Sequence, residues 1–401
     1  MAPSLAGRRP GPNRHVLAWL TCAALLVARP TFGQTMTDVL SFLLTNRSIA
    51  TDDFVRDVAA AAATRDAIST FLLTELGTLP VSSSAGGFTY RLEPALGTTL
   101  RSSASFGPFF TERSLTVGAR QVSLGLGFRH ARFVDIDGRN LRDGTLVATA
   151  SRLQSERDPF DTETLALDLS TDTMSLQANV GVTDRLDVGA VLPFIRLRLD
   201  GERVDTYRGR RAIQALASGT TSGFGDVVVR AKYNVVRRGA SGVAFGAEAK
   251  LPTGDEQNLL GSGTTTISPS AIFSLERARA AVHGTVGYSV GGVSRETHVL
   301  GAGTFVATPR LTLVGELVGR RLASVGRLVQ TTAPHPTLAN VLTLRLSTAD
   351  QATTRLVALA GLKWNLNSTW LLNLNVLRPL TDAGLTSSWT PAITIDRSFG
   401  R

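Results

Sequence analysis

The chain of 401 residues carries a single cysteine, Cys22, and only five histidines, scattered at 15, 130, 283, 298 and 335. One thiol excludes an internal disulfide framework and any cluster of cysteine ligands. Charged residues make up 18% of the chain against 43% hydrophobic ones, which argues against a disordered, self-repelling tail. Absent as well is any apolar run near the ~20 residues that a membrane-spanning helix needs. No H-E-x-x-H pair, P-loop or G-x-S-x-G elbow occurs, so the chemistries those motifs position lose their usual support. Gly301-Ala302-Gly303 opens like a dinucleotide loop but lacks the third glycine and the following helix, and reads as strand. Asp135, Asp137, Asn140 and Asp143 cluster, but off the spacing of a calcium loop, and read as a polar turn. No cofactor and no metal site is expected.

What is present begins with a leader. Arg8, Arg9 and Arg14 precede the apolar stretch Val16 to Ala28, which ends near Thr31-Phe32-Gly33. A basic start, a short apolar run and a small-residue end predict a secretory signal peptide over residues 1–33. Its removal takes Cys22 and lowers the formal charge from +10 to +6.

The most regular stretch is Gly223 to Pro252. Val227, Val229, Ala231, Tyr233 and Val235 alternate with Asp226, Val228, Arg230, Lys232 and Asn234. After RRGASG the pattern returns, with Val243, Phe245, Ala247, Ala249 and Leu251 against Ala244, Gly246, Glu248 and Lys250. Period-2 alternation in two arms around a Gly/Ser turn predicts a β-hairpin. Each arm reaches the ~9–11 residues of a tilted membrane strand. Full charges on the second face suit a wet channel interior better than a dry core.

The same rhythm recurs from about residue 119 to the C-terminus, in strands beginning near 122, 162, 186, 227, 243, 267, 280, 298, 311, 355, 370 and 389. An all-β fold is expected, a transmembrane antiparallel β-barrel of about 12 strands over 119–401. Short turns near 184, 238, 278, 309 and 368 alternate with polar loops near 148, 211, 258, 336 and 384, as in outer-membrane barrels. Pro193 predicts a register break before Ile195-Arg196-Leu197-Arg198-Leu199, and the end of the membrane portion. A short helical segment is expected over 34–80: Val39, Leu40 and Leu43 share a face, Asn46-Arg47-Ser48 interrupts, and Thr51 to Leu76 resumes until Pro80. It is either a periplasmic cap or a plug. Residues 81–118, rich in Gly, Ser and Pro, read as a connector in or against the lumen, with a fourteen-strand variant open through 88–115.

If the barrel closes, Arg129, Arg230, Lys232, Glu248, Lys250, His283, Glu316, Arg320 and Lys363 fall on its inner face as lumen-lining candidates. Pairing Val235 with Val243 sets Arg230 opposite Glu248; a shift of two sets Lys232 there. Charges of both signs can brace the wall or line a solute path. Tyr233 and Phe245 around one short turn, and Trp364 and Trp370 around another, fit an aromatic girdle at a membrane interface. The basic residues alternate inward rather than forming a stripe with stacked aromatics, so no nucleic acid is expected as a partner.

The phrases GFGDVVVRAKYNVV, Leu251 to Asp255 (LPTGD) and Leu186 to Phe194 (LDVGAVLPF) resemble the outer-membrane β-barrel family of the MetA pathway of phenol degradation, over about residues 105–401. The resemblance implies a barrel related to channels for hydrophobic compounds such as aromatic hydrocarbons and fatty acids, and no catalytic residue is carried over. One departure stands out: such barrels usually end on an aromatic residue, whereas Phe399 here precedes Gly400-Arg401. The expectation is a channel of the bacterial outer membrane passing small hydrophobic or aromatic solutes passively, in contact with membrane lipid and lipopolysaccharide. A barrel enzyme acting as a lipid hydrolase, and a structural or adhesive barrel, stay open as alternatives.

Overall fold

The computed structural model describes residues 34–44, 65–66, 68–75, 82–93, 98–323, 325, 327–335, 338–349 and 351–400. The expected leader over 1–33, the break at 46–48, and most of the segment from Thr51 to Pro80 lie outside the described residues.

Twelve long strands form the wall: β1 (Val122–Ile136), β2 (Asp161–Gly181), β3 (Leu186–Tyr207), β4 (Val227–Arg238), β5 (Ser241–Leu251) and β6 (Thr266–Arg277), then β7 (Ala280–Gly291), β8 (Glu296–Thr308), β9 (Leu311–Leu322), β10 (Thr353–Asn367), β11 (Trp370–Pro379) and β12 (Thr390–Phe399). Each pairs antiparallel with the next, and β12 closes on β1 with Phe399 opposite Val122. The ring therefore has no free border over its length, which removes the edge groups that lipid would leave unpaired. Among the described residues the fourteen-strand variant does not occur. Tyr90–Glu93 and Thr98–Arg101 form a separate two-stranded hairpin off the wall.

The short turns fall where the sequence places them. Thr183 Oγ1 accepts from the amides of Arg185 (3.1 Å) and Leu186 (3.0 Å), closing the β2–β3 turn. Gly239 takes φ 63° in the β4–β5 turn, a conformation glycine adopts without strain. At the other end the structure departs from expectation. The loops expected near 148, 211 and 336 are themselves β: Leu146–Leu153, Arg210–Phe224, and the hairpin of Arg327–Pro334 with Val341–Ala349. β2 and β3 run on accordingly, at roughly 3.3 Å per residue far longer than a bilayer requires.

The predicted break at Pro193 is not a break in β3, which continues through it with Pro193 opposite Ser175. The neighbour changes instead: β4 pairs with β3 only up to Val191, and Arg210–Phe224 takes over from Phe194. Proline has no amide to donate, so the gap falls where a ladder bond is least missed. The carbonyl of Pro193 still accepts from Gly225 N at 2.9 Å.

At that level the two faces of the wall exchange character. Below it, apolar side chains such as Leu124, Leu126, Leu176 and Val188 are exposed on the outside, while Gln177, Asn179, Asp187 and Arg230 are buried inside. Above it, Phe133, Leu167, Leu169, Leu197 and Leu199 are buried inside, and Arg132, Asp168 and Arg198 face out. The changeover is marked by one row in register across four strands: Phe128, Met174, Phe194 and Phe224. Phe194 and Phe224 meet edge to face at 5.6 Å.

The inverted upper interior is covered by the N-terminal segment. Helix α1 (Met36–Leu44) starts with a reciprocal cap, Thr35 N and Oγ1 donating to Asp38 Oδ2 at 2.9 and 2.7 Å. Those bonds hold the Asp38 carboxyl below its usual range. Met36, Val39, Leu40 and Leu43, with Ile68, Phe71 and Leu72 from the helical residues 68–75, pack on the inward leucines of β2 and β3. At this end the interior is apolar: the helices bring their own apolar faces, and the wall answers them.

Candidate functional site

The described residues 82–93 and 98–118 thread the lower half of the ring. They bond to β3 through Asp187, to β4 through Arg230 and Lys232, to β9 through Glu316 and to β10 through Lys363. A segment that touches opposite arcs of a closed wall lies inside it.

Several buried charges of the wall are spent on this segment. Glu316, 4% exposed, accepts from the amides of Phe109, Phe110 (3.1 Å) and Thr111 (2.9 Å) and from Thr111 Oγ1 (3.0 Å). Three successive amides around one carboxylate make a backbone cradle, the geometry in which an anion is best satisfied out of water. Lys363 Nζ donates to the carbonyls of Gly86 and Pro108, each at 2.9 Å. Lys232 Nζ reaches Ser84 Oγ (2.7 Å), Glu112 Oε2 (3.0 Å) and the Arg113 carbonyl (3.1 Å). Asp187 accepts from Val117 N at 2.9 Å, and Asn234 Nδ2 donates to the Ser114 carbonyl at 2.6 Å. Within the segment, the Arg113 guanidinium bonds Gly87 O (2.9 Å) and Thr89 Oγ1 (3.1 Å). Taking such groups out of water is costly unless each finds a partner. Here the partner is mostly main chain.

The remaining sequence candidates divide. Arg230 donates to Asn179 Oδ1 from Nε (3.0 Å) and Nη2 (2.8 Å) and to the Ser82 carbonyl from Nη1. Arg320 forks onto Glu296 at 2.8 and 2.7 Å, and Lys250 pairs with Asp226 at 3.3 Å. The Arg320–Glu296 and Lys250–Asp226 pairs brace the wall, whereas Arg230 also ties it to the threaded segment. His283 Nδ1 lies 2.9 Å from Ser274 Oγ, both buried. Glu248 and Arg129 are half-buried, and no bond is found for either among the described residues. Tyr233 and Phe245 sit directly opposite each other and are 48% and 57% exposed. Trp364 is exposed on the same outer side, and Trp370 is half-buried with the Arg397 guanidinium 5.0 Å from its ring centre.

Several residues escaped the sequence reading. Asp187, Asn179 and Gln177 stood on the polar face but carried no motif. Asp396 lies in the last strand, where Asn373 Nδ2 and Gln177 Nε2 donate to it at 2.7 and 3.0 Å. Gly125 lies opposite both Gln177 and Asp396, and a Cβ there would meet each at 2.3 Å. The run GLGF from Gly125 to Phe128 was the available sign: small inward residues make room for a neighbour's side chain. Glu112, whose carboxylate joins the segment to β4, lay in the unassigned connector.

Among the described residues no group of three or more His, Cys, Asp or Glu side chains could hold a metal ion. Between the threaded segment and the wall of β1, β2, β3, β11 and β12 a cavity of about 150 Å³ remains, lined by Phe109, Phe110, Arg129, Gln177, Pro193 and Asn373 among others.

Residues 147–315 match the model of the family described as Putative MetA-pathway of phenol degradation. That match bears out the resemblance carried by Leu186 to Phe194 and Gly223 to Asp255. The fold is similar to the COG4313 outer membrane channel from Pseudomonas putida F1 (TM-score 0.47, 12% identity, 71% of this chain and 98% of that one). It is also similar to the P. putida toluene transporter TodX (TM-score 0.34, 12% identity, 70% and 90%) and to a Pseudomonas aeruginosa FadL homologue (TM-score 0.34, 8% identity, 80% and 99%). No curated protein matches in sequence.

Proposed function

We propose that the protein is a channel of the bacterial outer membrane through which small hydrophobic or aromatic solutes pass passively. The carrying observation is the reversal of the wall at the Phe128–Met174–Phe194–Phe224 row. Below it a closed ring shows lipid an apolar exterior and keeps a polar interior; above it charged side chains face out, toward water and lipopolysaccharide headgroups. In this reading residues 1–33 export the chain, residues 34–118 plug the lumen, and Tyr233, Phe245, Trp364 and Trp370 mark the periplasmic interface. The cavity beside Phe109 and Phe110 is the unfilled part of the solute path. Arg230, Lys232, Glu316 and Lys363 hold the plug rather than the solute.

A hydrolase would set a serine, a histidine and an orienting acid or amide at the membrane face. Ser274 and His283 meet, but on the inner side, and His283 Nε2 has no partner among the described residues. Conductance of the purified protein in a planar bilayer, paired with uptake of a panel of aromatic and aliphatic compounds by cells with and without it, tests the proposal. A barrel that passes neither ions nor any compound of the panel refutes it.

A further inference from the structure

The apolar exterior of the wall is bordered by charge at both ends, but differently. At its upper edge outward bases meet acids: Arg132 and Arg142 reach Asp168, and Arg198 reaches Asp172 at 3.0 Å. At the short-turn edge the two signs are sorted instead. Asp184 Oδ1 accepts from Ala119 N at 3.2 Å, and Glu276 accepts from Ser103 Oγ at 2.7 Å and Ala104 N at 3.2 Å. Asp187 and Asp396 are buried inside, on Val117 N and on the amides of Gln177 and Asn373. These carboxylates are all spent on the threaded segment or the inner wall. The bases stay outside: Arg185, Arg238, Arg277, Arg279, Arg310 and Arg397 are exposed, and among the described residues none of them forms an ion pair.

The register sets these arginines along the rim. Arg238 faces Ser241 across the β4–β5 turn, and Ser241 Oγ accepts from Glu276 N at 2.9 Å, so the strand ends carrying Arg238 and Arg277 lie side by side. Arg277 continues the exposed series Phe273 and Leu275 at a spacing of two, on the outer face. Arg279 donates to the carbonyls of Val306 (3.1 Å) and Ala307 (2.9 Å), which leans it onto the end of β8, just before the turn that holds Arg310. Arg397 lies 5.0 Å from the ring centre of Trp370 and 4.5 Å from that of Phe399. A guanidinium over aromatic rings at the border of an apolar surface sits at headgroup depth. Exposed cations with no acid of their own lack a counter-ion there, and a lipid phosphate offers each guanidinium fork two oxygens. We infer that the short-turn rim, from Arg238 through Arg277 and Arg310 to Arg397, is a docking surface for the headgroups of anionic phospholipids. This rests on the membrane reading above, which sets the rim at the periplasmic leaflet. A zwitterionic lipid brings the same phosphate together with an ammonium group, which the neighbouring arginines repel. The rim therefore selects lipid by net headgroup charge.

Tryptophan quenching in vesicles is the test. Trp364 and Trp370 flank the β10–β11 turn at this rim, so a Trp389→Phe background leaves them as the reporters beyond the expected leader. The intact barrel is reconstituted in phosphatidylcholine vesicles holding a minor fraction of brominated phosphatidylglycerol or of brominated phosphatidylcholine. Phosphatidylglycerol should quench as though enriched about fivefold at the rim, the factor one arginine contributes near an anionic surface. The excess should fade at high salt. Arg277→Gln, Arg310→Gln and Arg397→Gln combined should remove it, whereas Arg132→Gln combined with Arg198→Gln, at the other edge, should keep it. Equal quenching of the unsubstituted protein by the two lipids overturns the rim as a docking surface and leaves the barrel in its membrane. An excess that survives the triple substitution overturns it as well. No quenching by either lipid removes the membrane reading, and the rim with it.

Discussion

Arg230 and Glu248 stand directly opposite each other across β4 and β5, yet their side chains do not pair. The Arg230 guanidinium turns to Asn179 on one side and to the Ser82 carbonyl on the other, with Glu112 at 3.7 Å. Of the two registers the sequence leaves open, the one that sets Arg230 against Glu248 is observed, although Val243 itself faces Val236, because a bulge between Val243 and Ala244 offsets the pairing by one residue at the turn. What alternation alone does not reveal is a third party inside the ring that outbids the neighbour.

That third party is held by charge, and the hold can be weakened selectively. Glu316→Gln removes the anion around which the amides of Phe109, Phe110 and Thr111 converge. A hydrogen bond to a charged group contributes about 1.5–3 kcal/mol, so even one lost bond shifts the bound segment toward release by roughly tenfold or more. Planar-bilayer recordings should show a higher open fraction for Glu316→Gln and Lys232→Met than for the unsubstituted protein. Leu313→Ala, on the outer face of the same strand β9, should leave it unchanged.

The outer face offers a test by depth. Leu124, level with Ala178 and Ala190 midway between the Phe194 row and the short turns, is 40% exposed, whereas Tyr233 sits near the short turns. Arginine on the lipid face costs about 2–4 kcal/mol at mid-bilayer and about 0–1 near the interfaces. Urea unfolding in lipid vesicles should therefore find Leu124→Arg destabilised by the larger amount and Tyr233→Arg by the smaller. Equal costs at the two sites would contradict the placement of the bilayer.

Most of the wall was legible because its period is two and its turns are short. Thr183-Asp184-Arg185 and Arg238-Gly239-Ala240 mark strand ends that the structure reproduces. The upper part was not, because Ile195, Leu197 and Leu199 keep the same alternation while the meaning of each face is exchanged. A strand pattern states that two faces differ; it does not say which one meets lipid. That decision was made by α1 and residues 68–75, whose apolar faces have no local signal of where they dock. The cavity was illegible for a similar reason, since Gln177, Asn373 and Asp396 come from three separate strands and meet only on closure.

Above the membrane band, one carboxyl couples stability to pH. Asp161 starts β2, far beyond Met174, and burial pushes its pKa up to about 7, helped by Asp205 and Glu163 beside it and opposed by Arg203. In the unfolded chain the group ionises near ~3.9. Between those values the folded state holds the extra proton, so this contribution is full below the lower value and is lost as pH rises through 7. Amide protection over residues 146–165, corrected for the intrinsic base-catalysed rise in exchange, should fall between pH 5 and pH 8, and Asp161→Asn should flatten that fall.

The hairpin of Arg327–Pro334 and Val341–Ala349 leaves the wall between β9 and β10 and pairs through Val341 to Arg345 with Leu153 to Thr149. That strand in turn lies on the end of β2, so the hairpin bridges the arc occupied by β10, β11, β12 and β1. Asp137 pins it, accepting from Leu328 N and Gly384 N at 2.7 Å each. Its inner residues, Leu328 and Leu346, join the core built on α1, so the hairpin and the helices under it form one cover. If solutes enter past this cover, locking it should block them. Ser151 Oγ and Thr343 Oγ1 are 3.4 Å apart, and the sole natural cysteine, Cys22, falls in the predicted leader. Ser151→Cys combined with Thr343→Cys should cross-link on oxidation, lower solute flux into proteoliposomes, and recover it on reduction. Cross-linking with undiminished flux would place the entrance elsewhere on the barrel.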